Sequence, residues 1–131
     1  MQAVNRPNVR IKLDIEHLNM VAQFYRFDPA QAVADIRELI AHTHIHDNFG
    51  GAVHHYEKQQ THQVPFGRSD VHMPIDGGAI PFDQILGAYL PDYAGMPMME
   101  LRSRYYPHIE DSKFNLQRLI EPLEFAEAAS A

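Results

Sequence analysis

Residues 42–48 read His42-Thr43-His44-Ile45-His46-Asp47-Asn48, an alternation of imidazoles with Thr43 and Ile45 that stops at a polar pair just before Gly50-Gly51. Alternation with a period of two marks a strand with two unlike faces, so the histidines share one face and run to the strand's carboxyl end. Upstream, residues 9–15 (VRIKLDI) alternate branched apolar residues with Arg10, Lys12 and Asp14, which predicts a first strand ending at the acidic pair Asp14 and Glu16. Between the two, Asp28 suits a helix N-cap and Pro29 the first helical position. Ala32, Val33, Ile36, Leu39 and Ile40 then recur at helical spacing, which predicts a helix over 29–41.

Residues 48–79 show no clear period. A connection of that length exceeds what most domains use and marks a functional or a disordered segment. Residues 81–90 (PFDQILGAYL) predict a short helix, and residues 96–101 (MPMMEL) a short buried strand carrying Glu100 at its end. Residues 111–128 begin at a capping residue and place Phe114, Leu116, Leu119, Ile120 and Leu123 at helical spacing, with a kink expected at Pro122. Strand, helix, strand, loop and helix, strand, helix is the order of parallel βα units, hence an α/β fold.

At 131 residues and 15.0 kDa, residues 1–131 make one domain. A closed (β/α)8 barrel needs about 250 residues, so any barrel signal here means part of a barrel. The chain is 45% hydrophobic and 21% charged, enough apolar residues for a core and too few charges for a disordered chain. Eleven Lys and Arg against 17 Asp and Glu leave a net charge of −6, which provides no field for phosphates and disfavours a nucleic acid partner. With no cysteine, disulfides, thiolate metal sites and a Cys nucleophile are excluded, so any metal is held by His, Asp or Glu. Residues 1–10 lack the apolar stretch of a signal peptide, and no run approaches the roughly 18 apolar residues of a membrane span. The expected location is the cytoplasm, away from membranes.

Ligands of parallel α/β proteins gather beyond the carboxyl ends of the strands. There the first strand offers Asp14-x-x-His17, the second His44-x-His46-Asp47 and the third Glu100, while the long loop adds Asp70-x-His72. Carboxylates and imidazoles together are the ligand set of divalent Zn, Mn, Fe or Co. Each feature also has a plainer reading. Asp14 and His17 close a strand and start a helix, and His44, His46, His54 and His55 read equally as a solvated polar loop. Glu100 on an otherwise apolar strand is harder to place that way, because an unpaired buried carboxylate costs roughly several kcal/mol and calls for a cation or for solvent. The small cupin barrel also uses a His-x-His metal motif. No Glu follows four or five residues after His46, however, and the two strong helices have no place in such a barrel.

In this order and spacing, Asp14-x-x-His17, His44-Ile45-His46-Asp47-Asn48, Asp70-Val71-His72 followed by Pro74, Gly78, Ile80 and Phe82, and then Glu100, the chain resembles the xylose-isomerase-like TIM-barrel superfamily over residues 9–105. That group holds sugar phosphate isomerases and epimerases and the endonuclease-IV type of abasic-site nuclease. The resemblance implies a partial (β/α)8 barrel corresponding to its last three βα units, strands 6 to 8, with residues 1–131 as the C-terminal portion. It implies Asp14, His44 and Glu100 as ligands of a divalent metal ion (Mn, Mg, Co or Zn), and His17 as a substrate-contacting or second-metal histidine. Asp70 and His72 fall where the nuclease branch places a further metal-binding pair. Two departures stand out: the usual Gly-Glu-Gly stretch is here Asp76-Gly77-Gly78, and the first five strands, with the fourth-strand glutamate, are absent.

The expected activity is sugar or sugar phosphate isomerisation or epimerisation, a step of carbohydrate metabolism, in which Glu100 transfers a proton and His17 orients a substrate hydroxyl. Arg102 and Arg104 are then candidates for binding a substrate carboxylate or phosphate, although exposed arginines commonly form only surface ion pairs. Two alternatives stay open: a multi-metal phosphodiester hydrolase, and a non-catalytic, truncated metal-binding fragment. Because three βα units leave sheet edges unpaired, the chain is expected to self-associate or to require the missing N-terminal half.

Overall fold

The computed structural model describes residues 6–51 and 67–128. His54 and His55, and with them the middle of the long loop, lie outside the described residues. Three parallel strands, β1 (Ile11–Asp14), β2 (Ile40–Ile45) and β3 (Pro97–Met99), form one sheet in the order β1-β2-β3. Asp14 pairs with His44 and Lys12 with His42, after an irregularity between Ile11 and Lys12, while His44 pairs with Met98. Since side chains alternate across a strand, Leu13, Thr43 and Ile45 are buried beneath the helices. Lys12, Asp14, His42 and His44 are left on the opposite face.

The core joins Leu13, Ile40 and Ile45 of the sheet to Ile15, Val33, Ile75, Ile80, Phe82, Ile85, Leu86, Tyr89 and Leu116. Four helices supply Ile15, Val33, Phe82, Ile85, Leu86 and Leu116, namely α1 (Ile15–Tyr25), α2 (Pro29–Ala34), α3 (Phe82–Gly87) and α4 (Ile109–Ala128), while Ile75, Ile80 and Tyr89 come from the connections between elements. The sequence reading gives α1 only as a helix start at Asp14 and His17 and assigns it no extent. Its signal is present: Asp14 is an N-cap whose side chain accepts the His17 N–H at 3.1 Å, and Ile15, Leu18 and Ala22 recur on one face. Arg26 ends α1 in the left-handed conformation, φ 59°, and its N–H returns to the Ala22 carbonyl.

The helix expected over 29–41 is shorter. Asp28 caps α2 by accepting the Ala30 and Gln31 N–H groups, and Pro29 occupies the first turn as expected. A 3-10 turn at Arg37–Leu39 then hands the chain to β2, so Ile40 and Ala41 are strand residues. Strand pairing of Ile40 with Ile11 wins over its helical spacing, because it buries Ile40 and satisfies its backbone at once. At the other end, α4 runs on through Pro122. Among the described residues no helix is long and apolar enough to cross a membrane.

The described parts of the long loop are tied down through Asp47 and Asn48. Asp47 and Met73 exchange backbone hydrogen bonds as an isolated antiparallel bridge. The buried Asp47 carboxylate accepts the N–H groups of Asn48, Gly78 and Ile80 at 2.8 to 3.2 Å. Asn48 accepts from Asn19 and Gly50 and donates to the Ser69 carbonyl. These two residues therefore fold the loop back over the carboxyl ends of the strands.

Candidate metal centre

Asp14 ends β1, His44 is its partner in register on β2, and Glu100 immediately follows β3. The Glu100 N–H donates to the Ile45 carbonyl at 3.3 Å, which extends the strand alignment by one residue and brings its side chain to the same rim. One ligand atom from each of Asp14, His44 and Glu100 lies within 4.8 Å of the others. His44 Nδ1 stands 4.0 Å from Asp14 Oδ2 and in close contact with Glu100 Oε2. Two carboxylates and one imidazole at that separation match the donor set of a divalent transition ion.

A second group adjoins the first. His17, on the first turn of α1, places Nδ1 3.5 Å from Asp14 Oδ2 and Nε2 3.4 Å from Asp70 Oδ1. His72 Nε2 is 2.7 Å from the same Asp70 oxygen, and its Nδ1 faces the Glu100 carbonyl at 3.2 Å. Both His17 and His72 are held above the usual imidazole range, chiefly by the hydrogen bond each makes with Asp70, against the opposing effect of burial. Asp47 is pushed up by burial despite its ring of N–H donors, which marks it as a packing residue of the loop.

Asp14, His17, His44, Asp70, His72 and Glu100 are therefore neighbours, whereas Asp47, also expected at the rim, packs the loop. The arginines divide. Arg102 donates to the Asp70 carbonyl at 3.0 Å and lies 3.6 Å from the Asp70 carboxylate, so it borders the second group. Arg104 sits on the exposed 3-10 turn Ser103–His108 with its guanidinium 5.9 Å from the centre of the Tyr105 ring. Sequence reasoning placed His46 among the imidazoles of the rim and gave Glu16 no role there. Their ligand atoms, with those of Asp70 and His72, form another set within 4.8 Å. The available signal is position: Glu16 lies inside the Asp14-x-x-His17 motif, and His46 follows His44 by two.

No family model matches the sequence, and no curated protein matches it. Among solved structures, that of a D-tagatose 3-epimerase-like protein superposes with a TM-score of 0.60 at 23% identity, covering 89% of this chain. This chain spans 36% of the length of that structure. At this identity the likeness shows the fold: a small parallel sheet with its helices, arranged as in a part of that longer chain.

Proposed function

We propose that the chain carries the metal-holding rim of a divalent-metal-dependent sugar or sugar phosphate isomerase or epimerase acting in the cytoplasm. In this reading residues 1–131 form one domain, the C-terminal portion of a xylose-isomerase-like barrel, strands 6 to 8. The observation that carries it is the meeting of Asp14, His44 and Glu100 from three consecutive parallel strands within 4.8 Å. The solved neighbour, an epimerase-like protein by name, supports the reaction class.

Asp14, His44 and Glu100 would hold a divalent ion. When bound, it polarises neighbouring carbonyl and hydroxyl oxygens, so that the adjacent C–H can lose a proton. Glu100 takes and returns that proton at its carboxylate, which is partly open to solvent. His17, 52% exposed, orients a substrate hydroxyl through one ring nitrogen, exchanging its contact with Asp14 or Asp70 for the substrate. Arg102 meets a carboxylate or phosphate on the substrate, and Arg104 does so only by leaving Tyr105.

The test has two stages. Titration of the chain with Mn2+ or Co2+ is expected to give saturable binding that weakens by about tenfold or more in H44A and E100Q. Solvent deuterium is then expected to enter a ketose or its phosphate with the metal-loaded assembly and not with E100Q. A chain that takes up neither ion sinks the reading. The His17–Asp70–His72 grouping favours a second reading, a multi-metal phosphodiester hydrolase. Cleavage of abasic DNA in preference to any sugar turnover would decide for it. Metal uptake with neither activity in the completed assembly would leave a non-catalytic fragment.

A further inference from the structure

Glu16 and His46 have no part in the chemistry proposed above, yet both are completely buried. Glu16 is the second residue of α1. Its Oε1 accepts the Val71 N–H at 2.9 Å and the His72 N–H at 3.3 Å, and its Oε2 also faces the His72 N–H at 3.3 Å. One carboxylate thus holds the backbone of a turn 55 residues away. His46 places Nε2 2.7 Å from Glu16 Oε2 and 3.5 Å from Asp14 Oδ1, so it stands between the two groups of the rim. Its ring stacks on His72 with centroids 4.0 Å apart and planes 2° from parallel. His72 has φ 49° and Ser69 φ 66°, left-handed conformations that residues other than glycine keep only where their surroundings enforce them.

Proximity alone suggests that Glu16, His46, Asp70 and His72 share an ion. The ring geometry opposes it. The lone pair of an imidazole nitrogen lies in the ring plane, so an ion sits near the plane of each ring that ligates it. Two parallel, stacked rings have no common point in their planes, so His46 and His72 cannot ligate one ion as they stand. The oxygens of Glu16 already accept two N–H groups, and Oε2 has His46 Nε2 2.7 Å away. A buried carboxylate–imidazole pair adds little net stability, and placement of what it touches is the better account of it.

We infer that Glu16 and His46 are positioning residues, a buried support that fixes the 69–72 turn and holds His72 and Asp70 toward His17 without ligating metal. The inference rests on the reading of the rim as a divalent-ion site. The support acts on the ligands from behind, as outer partners of metal-binding histidines commonly do.

The full chain is compared with E16A, E16Q and H46F, first metal-free and then titrated with Co2+. Phe at position 46 keeps a flat ring against His72 and has no nitrogen to offer. Gln at position 16 keeps an oxygen for the two N–H groups. H46F and E16Q are expected to bind as many Co2+ ions per chain as the unmodified protein, whereas E16A binds them about 10- to 100-fold more weakly. In the metal-free chain, hydrogen exchange at the Val71 and His72 amides is expected to accelerate about tenfold or more in E16A and to change far less in E16Q. One ion fewer in H46F or E16Q makes that residue a ligand and overturns the inference, even where E16A fails to fold. Unchanged exchange at Val71 and His72 in a folded E16A overturns it too. If the unmodified chain takes up no Co2+, the functional reading fails by itself, and the exchange comparison still decides whether the support exists.

Discussion

Asp14 does two jobs with one carboxylate. Its Oδ1 accepts the His17 N–H and caps α1, while its Oδ2 faces His44. The two jobs separate by substitution. Asn caps a helix about as well as Asp, so D14N is expected to keep its stability within about 0.5 kcal/mol while binding Mn2+ at least about tenfold more weakly. D14A is expected to lose both, including about 1 kcal/mol of stability, as read by urea denaturation. A D14N chain that binds Mn2+ normally would remove Asp14 from the ligand set. Tyr89 provides a second residue-scale test, away from the rim. Burial pushes its hydroxyl up to about 12 from 10.0. The folded state thus keeps a proton that the unfolded chain loses. Tyr89's contribution is therefore intact below pH 10 and is lost as pH rises toward 12, by about 3 kcal/mol in all. Y89F is expected to flatten the fall of stability between pH 10 and 12; an equal slope in both proteins would contradict the assignment.

At the scale of elements, the long connection after β2 is shaped by what the end of that strand offers. The Gly78 N–H donates to Asp47 Oδ2 at 2.8 Å, and a Cβ built at position 78 would stand 2.4 Å from the Asn48 carbonyl oxygen and 2.4 Å from Asp47 Oδ1. Neither neighbour can retreat cheaply, because one is backbone and the other is a buried carboxylate holding three N–H groups. G78A is expected to cost about 1–3 kcal/mol in thermal or urea unfolding. The Asp76-Gly77-Gly78 stretch is therefore a fitted part of the loop, in which the glycine at 78 is required by close approach. A G78A chain as stable as the parent would show that the loop rests elsewhere.

For the whole molecule, the sheet leaves one side of β1 and one side of β3 without a strand partner among the described residues. The face that carries Lys12, Asp14, His42 and His44 is not the branched apolar filling of a barrel interior, and beside it Met98 is 48% exposed. Open strand edges seek further pairing. The chain is accordingly expected to sediment and scatter light as an assembly, with itself or with a companion that supplies further strands. A monomer with one sharp, concentration-independent melting transition would refute this.

The strands, the parallel α/β order, the cap at Asp28 and the six rim residues from Asp14 to Glu100 are legible in the amino-acid sequence, because each leaves a local trace. Alternation reports two faces, a capping residue reports a helix start, and a lone Glu on an apolar stretch reports a chemical need. The extent of the helix after Pro29 is not local: Ile40 suits a helix by spacing, and pairing with Ile11 makes it a strand. The same holds for the extent of α1, whose start is readable at Asp14 and His17 and whose length is not. What Glu16 and His46 do is decided only by tertiary structure. The backbone that Glu16 holds is 55 residues away, and the ring on which His46 stacks lies across the rim. Sequence spacing carries the identity of the donors, whereas which donors face an ion and which stand behind them depends on ring planes and hydrogen bonds that exist only once distant segments have met.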